Sequence, residues 1–279
     1  MPPTAPDSIA PPDPRHPARA GVVHLVRLRH LGEARYARFE GDRYALLDAA
    51  PWDGGRASGQ DVPAAGARLL PPCEPGKIVC IGVNYADHAK ESVSLSAVPD
   101  EPVLFMKPPS ALLPHGGTIL LPSGVGRVDH EAEMALVIGR RVYRAGRDEA
   151  RAAIAGVTAV NDVSARMLQK KDGQFTRAKG FDTFCPIGPS IALGLDPDDL
   201  KVVARVGGEI RQDGRTRDLV AGPVDLVVYI SSVMTLEPGD VISTGTPAGV
   251  APLAPGDRVS IEIEGIAALV NDVRERPPA

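Results

Sequence analysis

Val128-Asp129-His130-Glu131-Ala132-Glu133-Met134-Ala135-Leu136-Val137-Ile138-Gly139 decides how the chain is read. Its second half is an apolar, β-prone run closed by a glycine, the pattern of a strand buried on both faces. Its first half carries acids into that strand. Glu131 and Glu133 stand two residues apart, a spacing that sends both carboxylates to one face. Side by side they repel each other and resist desolvation. A divalent cation relieves both penalties, and carboxylate oxygens suit hard ions such as Mg²⁺, Mn²⁺ or Ca²⁺. The competing reading is an edge strand with both glutamates in water, and the pattern alone leaves the two open.

Further compact strands surround this one: Lys77 to Gly82, Val103 to Lys107, Thr118 to Leu121 and Val157 to Ser164. Val202 to Val206 and Ile210-Arg211 form a hairpin-like pair around Gly207-Gly208, and Asp240 to Ser243 and Val259 to Val273 close the chain. Only two stretches have helical character. Asp148 to Ala155 carries a candidate N-cap at Asp148 and a stop at Gly156. Val224 to Leu236 has apolar residues at helical spacing and ends at Pro238-Gly239. Before this block, Val22 to Leu28, Ala34 to Phe39 and Arg43 to Leu47 read as short strands, with Glu40-Gly41-Asp42 as a hairpin turn. Pro51 to Gly76 is rich in Gly, Pro and Ala and reads as a linker. The expected division is a disordered tail over residues 1–19, a small β-rich unit with its linker over 20–72, and a catalytic domain over 73–279. Strands dominate without βαβ alternation, so the expected fold is a strand-rich α+β, mixed-sheet roll rather than a Rossmann fold or a TIM barrel.

Bulk properties narrow the function. The chain has 279 residues, a formal net charge of −4 and 4% aromatic residues. That balance disfavours nucleic acid and anionic membrane surfaces as partners. The three cysteines, Cys73, Cys80 and Cys185, lack metal-ligand spacing and cannot all pair. They read as reduced thiols of a cytoplasmic protein, with Cys80 and Cys185, set among apolar residues, as core filler. The proline-rich start is not a secretory signal, and no apolar run is long enough to span a membrane.

Asp162 ends the strand containing Asn161, and Ser164 to Lys171 puts several polar groups just beyond it. Lys179-Gly180-Phe181-Asp182-Thr183-Phe184-Cys185-Pro186-Ile187-Gly188-Pro189 then leads a lysine and an aspartate into a turn. Taken with Gly82-x-Asn84-Tyr85-x-x-His88-x-x-Glu91, Lys107-Pro108-x-Ser110, Asp129-x-Glu131-x-Glu133, Asn161-Asp162-x-Ser164-Ala165-Arg166-x-x-Gln169 and Thr244-Gly245-Thr246-Pro247-x-Gly249-Val250, the chain resembles the fumarylacetoacetate hydrolase family. The six motifs occur in the family's order and cover the chain from about residue 77 to its end.

The resemblance implies that Glu131, Glu133 and Asp162 hold Mg²⁺ or Mn²⁺, with Ca²⁺ an alternative. It implies that His88 and Glu91, on a segment that orders over the site, activate water, Glu91 orienting the imidazole and His88 taking the proton. Lys179 would offset charge and contact the substrate, Arg166 and Gln169 would donate to developing negative charge, and Thr246 would meet a carboxylate in a Gly-flanked turn. Tyr85 and Lys107 are further candidates for the lining. Ser92 to Glu101, polar and proline-bearing, would serve as a lid, and a homodimer would be expected. The chain departs from relatives at His130, where an aromatic is common, and at Gly180, where Ser is common.

The expected activity is cleavage of a C–C bond in a β-diketo or 2-oxo acid of acylpyruvate or fumarylpyruvate type. The alternatives are an oxaloacetate-type decarboxylase or a hydroxydienedioate isomerase on the same site, and a non-catalytic protein binding a small acid. Replacing His88 separates the first two, since only hydrolysis needs a base for water.

Overall fold

The computed structural model describes residues 21–91 and 99–277. The expected N-terminal tail and residues 92–98 of the expected lid lie outside them. The chain opens with β1 (Val23–His30), β2 (Glu33–Phe39), β3 (Arg43–Leu47), β4 (Ala57–Pro63) and β5 (Arg68–Leu70). There follow β6 (Ile78–Gly82), α1 (Ala86–Ala89), β7 (Val103–Lys107), β8 (Leu112–Leu113), β9 (Thr118–Leu121), β10 (Val128–Asp129) and β11 (Ala132–Ile138). The middle holds α2 (Arg147–Ala153), β12 (Ile154–Asn161), β13 (Ser164–Ala165), α3 (Arg166–Asp172), α4 (Thr176–Lys179) and β14 (Cys185–Leu193). The last part is β15 (Lys201–Val206), β16 (Glu209–Arg215), α5 (Pro223–Val233), β17 (Val241–Ser243), β18 (Arg258–Ile263) and β19 (Leu269–Glu275).

One large mixed sheet runs in the order β4-β3-β2-β1-β14-β12-β11-β17-β6-β7, and a second runs β16-β15-β18-β19-β9. All seven residues of β11 are buried because β12 and β17 flank it and both of its faces are covered. Met134, Leu136 and Ile138 join Val202, Ala204, Val259, Ile261 and Ile263 of the second sheet in one apolar cluster. Ala135 and Val137, on the other face, pack with Ile78, Cys80, Cys185 and Ile187. Each fully buried large side chain here contributes about 1.5–3 kcal/mol of transfer free energy. The edge-strand reading of the acidic stretch is thereby removed: its apolar half lies mid-sheet.

The strand-rich mixed architecture is as expected, but two local readings need correction. Pro51 to Gly76 is not simply a linker, since it supplies β4, paired with β3, and β5, paired with β1. Every residue of β4 but one is exposed, so it carries no burial alternation for a reader of the sequence to find. Helix α2 starts after Gly146 rather than at Asp148, and it stops at Ala153. Gly156 is no helix stop; it lies within β12, where a Cβ would come within 2.5 Å of the Ala192 carbonyl oxygen. The three cysteines are free and buried, and burial pushes the Cys73 and Cys185 thiols up to about 12.

Candidate active site

The acidic stretch breaks in two at the site. β10 pairs with β13, the chain turns at His130 and Glu131, and β11 begins at Ala132. The turn is fixed by Asn161, whose Oδ1 accepts from Glu131 N at 3.0 Å, and by Asp162 N, which donates to Glu131 O at 2.9 Å. Glu131, Glu133 and Asp162 thus meet at one end of the β11–β12 pair, all buried, with one oxygen of each within 4.8 Å of the others.

Three cations close on this triad. Lys179 Nζ donates to Glu131 Oε2 at 2.8 Å and to Asp162 Oδ2 at 2.5 Å. It also stands 4.7 Å from the centroid of the Phe105 ring, a cation–π contact. Lys107 Nζ donates to Asp162 Oδ1 at 2.6 Å and to Val163 O at 3.3 Å. Arg166 Nε donates to Asp129 Oδ2 at 2.7 Å, and Nη1 donates to Gln169 Oε1 at 3.0 Å. Arg166 Nη2 lies 2.6 Å from Glu131 Oε1, an ion pair without hydrogen-bond alignment. Among the described residues Glu133 has no cationic hydrogen-bond or ion-pair partner. Its Oε2 accepts from Ser243 Oγ at 2.6 Å and from Gly245 N at 2.8 Å. Gly245 has φ +100°, and a Cβ there would come within 2.8 Å of Asn84 Cβ, so only glycine presents that N–H without strain.

The acids titrate apart because their surroundings differ. Burial and the neighbouring Asp162 and Glu131 charges push Glu133 up to about 8. Burial also opposes ionisation of Glu131, but the Arg166 and Lys179 charges outweigh it and hold that carboxyl well below the usual range. For Lys179, burial is outweighed by Asp162 and Glu131, so it stays protonated.

The donor set fits a divalent cation. Three buried carboxylates converge, one of them lacking a cation, and carboxylate oxygens match Mg²⁺ or Mn²⁺. A cavity of about 20 Å³ opens beside them, bordered by His88, Arg166, Gln169, Lys179 and Thr246. That is room for one water or ion. His88 sits at the C-terminal end of α1 and is buried, with Nδ1 unpartnered among the described residues. Burial holds its pKa below the ordinary imidazole value, keeping the ring neutral at pH 7.

A model of the fumarylacetoacetate hydrolase C-terminal family matches residues 77–274, and a second, described as Rv2993c-like, N-terminal, matches 23–72. The chain belongs to the fumarylacetoacetate hydrolase family. Among its relatives, the mitochondrial oxaloacetate tautomerase FAHD1 of Arabidopsis thaliana is 45% identical over 206 residues, 72% of this chain and 92% of that relative. A solved structure described as the 2-hydroxyhepta-2,4-diene-1,7-dioate isomerase of Mycobacterium marinum is 40% identical, with TM-score 0.85, covering 92% of this chain and 100% of that one. Maleylpyruvate hydrolase from Sphingobium sp. SYK-6, solved with manganese(II) and pyruvate, is 30% identical with TM-score 0.75, covering 91% of this chain and 100% of that one. Fumarylacetoacetate hydrolase family members include hydrolases, isomerases and tautomerases that use a divalent metal, and this chain is an enzyme of that family. Such enzymes bind small-molecule acids.

Of the nine residues that the family motifs single out, eight line or hold the inner site. Glu91 stands apart. It follows α1, and its Oε2 accepts from Gly249 N at 2.8 Å rather than contacting His88. Thr246 borders the cavity, but its hydroxyl donates to Ala132 O at 2.8 Å and accepts from Gln212 Nε2 at 2.7 Å. Its proton is therefore already committed. One motif residue carries more weight than the motif implies, and one residue of weight lies outside the motifs. Lys107, named only as a lining candidate, is 1% exposed and grips Asp162 directly. Gln212 of β16 belongs to none of the motifs. Its Oε1 accepts from Ala132 N and His130 Nδ1, and its Nε2 also donates to Pro247 O at 2.7 Å. The available signal was an amide at an inward position of a strand.

Proposed function

We propose that the protein is a divalent-metal-dependent hydrolase that cleaves a C–C bond in a β-diketo acid of acylpyruvate or fumarylpyruvate type. The supporting observation is His88: a buried, neutral imidazole with a free ring nitrogen, bordering the same small cavity as Glu131, Glu133 and Lys179. Glu131, Glu133 and Asp162 would hold Mg²⁺ or Mn²⁺, with Ca²⁺ possible by donor type. When bound, the ion supplies Lewis-acid polarisation of the 2-oxo acid. His88 takes a proton from water, the resulting hydroxide adds to the distal carbonyl, and the adduct collapses with rupture of the C–C bond. The electron pair leaves as an enolate, then is protonated. Lys179, Arg166 and Gln169 face the negative charge that develops on oxygen. With all three carboxylates ionised and a divalent ion bound, Lys107, Lys179 and Arg166 leave the site with a positive excess suited to an anionic enolate.

A second reading is keto–enol tautomerisation, isomerisation or decarboxylation of an oxaloacetate-like acid. It is favoured by Glu91, whose carboxylate is held by Gly249 N and does not orient His88. His88 would then move a proton at the carbon beside the keto group. The deciding experiment treats the protein with chelator, restores Mn²⁺ or Mg²⁺, and follows acylpyruvate cleavage and oxaloacetate turnover side by side. For the hydrolase, His88→Ala should lower cleavage by about 10²–10⁴-fold while metal binding persists. Oxaloacetate turnover that largely survives the substitution, without acylpyruvate cleavage, would replace this reading with the second. We also propose a cytoplasmic homodimer. The dimer is tested by light scattering.

A further inference from the structure

Val83 is a β-branched residue at φ +55°, in the left-handed region, and it borders the same cavity as His88. Such a residue adopts that conformation only where its surroundings impose it. Up to Gly82 the chain follows β6, which pairs in parallel with β17 from Ile78–Val241 to Cys80–Ser243. At Val83 the chain leaves the strand, and it soon enters the short helix that carries His88. The constraint lies in the next residue, Asn84, which is 3% exposed. Its Nδ2 donates to Thr244 O at 2.8 Å and to Ala221 O at 3.0 Å, and its Oδ1 accepts from Ala221 N at 2.8 Å. Its own carbonyl accepts from Val220 N at 2.9 Å, and Tyr85 forms an antiparallel bridge with Leu219. Both amide hydrogens and the amide oxygen of Asn84 are therefore engaged.

These bonds reach two parts of the site. On one side Thr244 and Gly245 follow β17, and Gly245 N holds Glu133. On the other, α1 opens just after Tyr85 and carries His88. α1 has four residues and no side-chain cap among the described residues, so it is too short to set its own direction. We propose that Asn84 is a positioning residue: its amide fixes the joint at Val83 and thereby sets His88 against the carboxylate cluster. This rests on the reading of His88 as the proton-moving group of the inner site, and adds to it what aims the imidazole. Asn84 acts through α1 and takes no part in proton movement.

The test compares wild type with Asn84→Ala and Asn84→Asp. Hydrogen exchange is followed on the metal-free protein and Mn²⁺ affinity by calorimetry. Steady-state turnover of an acylpyruvate and of oxaloacetate is followed on the Mn²⁺-loaded protein. In Asn84→Ala the amides of residues 86–91 should exchange at least about tenfold faster, while those of β11 keep their protection. For whichever compound wild type turns over, kcat should fall about hundredfold, the scale of a catalytic group displaced by about 1 Å, with KM and the Mn²⁺ dissociation constant moving less than about threefold. Asn84→Asp is isosteric, and between two carbonyl oxygens its carboxyl is protonated, keeping the acceptor and one donor. Its kcat should therefore fall by about tenfold or less. Unchanged kcat in Asn84→Ala, unchanged exchange over 86–91, or Mn²⁺ affinity and KM that worsen as much as kcat, overturns the proposal. If Asn84→Ala does not fold, Asn84→Asp decides: faster exchange confined to 86–91 with lower kcat and unchanged Mn²⁺ affinity supports the proposal, and wild-type behaviour overturns it. If wild type turns over neither compound, the reading of the reaction fails on its own, and the exchange data alone support or overturn the hold of Asn84 on α1.

Discussion

Lowering the pH from 8 to 6 should weaken metal binding about a hundredfold through Glu133 alone. In the metal-free protein this carboxyl is pushed up to about 8 by burial and by the Asp162 and Glu131 charges. Below that pH it holds a proton, which must leave before the oxygens can ligate a cation. Each pH unit below 8 then costs a factor of ten, so two units cost about hundredfold, or about 3 kcal/mol. Above pH 8 the dependence flattens. The same shift acts on stability with a definite sign. The folded state binds this proton more tightly than the unfolded chain, whose glutamate keeps its ordinary value of 4.5. The metal-free fold therefore loses stability as pH rises from about 4.5 to 8, and bound metal restores it. Calorimetric titration with Mn²⁺ in two buffers of different ionisation enthalpy measures both affinity and protons released. About one proton per ion should appear at pH 6 and none well above pH 8. Glu133→Gln should abolish that release, and Ser243→Ala, which removes a hydrogen bond favouring the ionised form, should move the break to higher pH. Affinity that stays flat between pH 6 and 8, with no proton released, would refute the account of how these acids share the site.

Lys107→Met strips a fully buried partner from Asp162 and should destabilise the metal-free protein by about 3–5 kcal/mol, read as a fall in the denaturant midpoint. Gln212→Leu leaves Ala132 N and His130 Nδ1 without their acceptor and releases Thr246 and Pro247; about 2–3 kcal/mol of stability should go, together with some metal affinity. Gly249→Ala would bring a Cβ within 2.1 Å of Arg211 O at φ +100°, so the variant should melt well below wild type, with a loss of about 2 kcal/mol or more.

The sequence was most legible where one-dimensional pattern and burial coincide. β11 announces itself because both its faces are covered, and the acids at its start are spaced by the strand period. α5 follows its apolar spacing over Pro223–Val233 but stops short of the expected end at Leu236, since Met234 is already extended. Legibility fails where structure depends on a partner distant in sequence. β4 is held by its ladder to β3 and buries almost nothing, so its residues look like a linker. Glu91 and His88 share a helical spacing, yet Gly249, 158 residues away, claims the carboxylate. Lys107 and Gln212 reach the site across long stretches of chain, and only the packed fold shows that each is buried against it. The break at His130–Glu131, which lets two strand-spaced acids meet Asp162, likewise comes from Asn161 on the neighbouring strand.

β14 pairs with β12 on one side, and on the other β1 covers it from Ile191 to Leu193. All of β14 except Leu193 is buried. Removing the first five strands would uncover that backbone edge and the apolar row beside it, a template for pairing with another chain. A fragment confined to the matched catalytic region would keep every residue of the acidic site. It would nevertheless face self-association before any question of turnover arose. The N-terminal strands thus guard the solubility of chemistry in which they take no part.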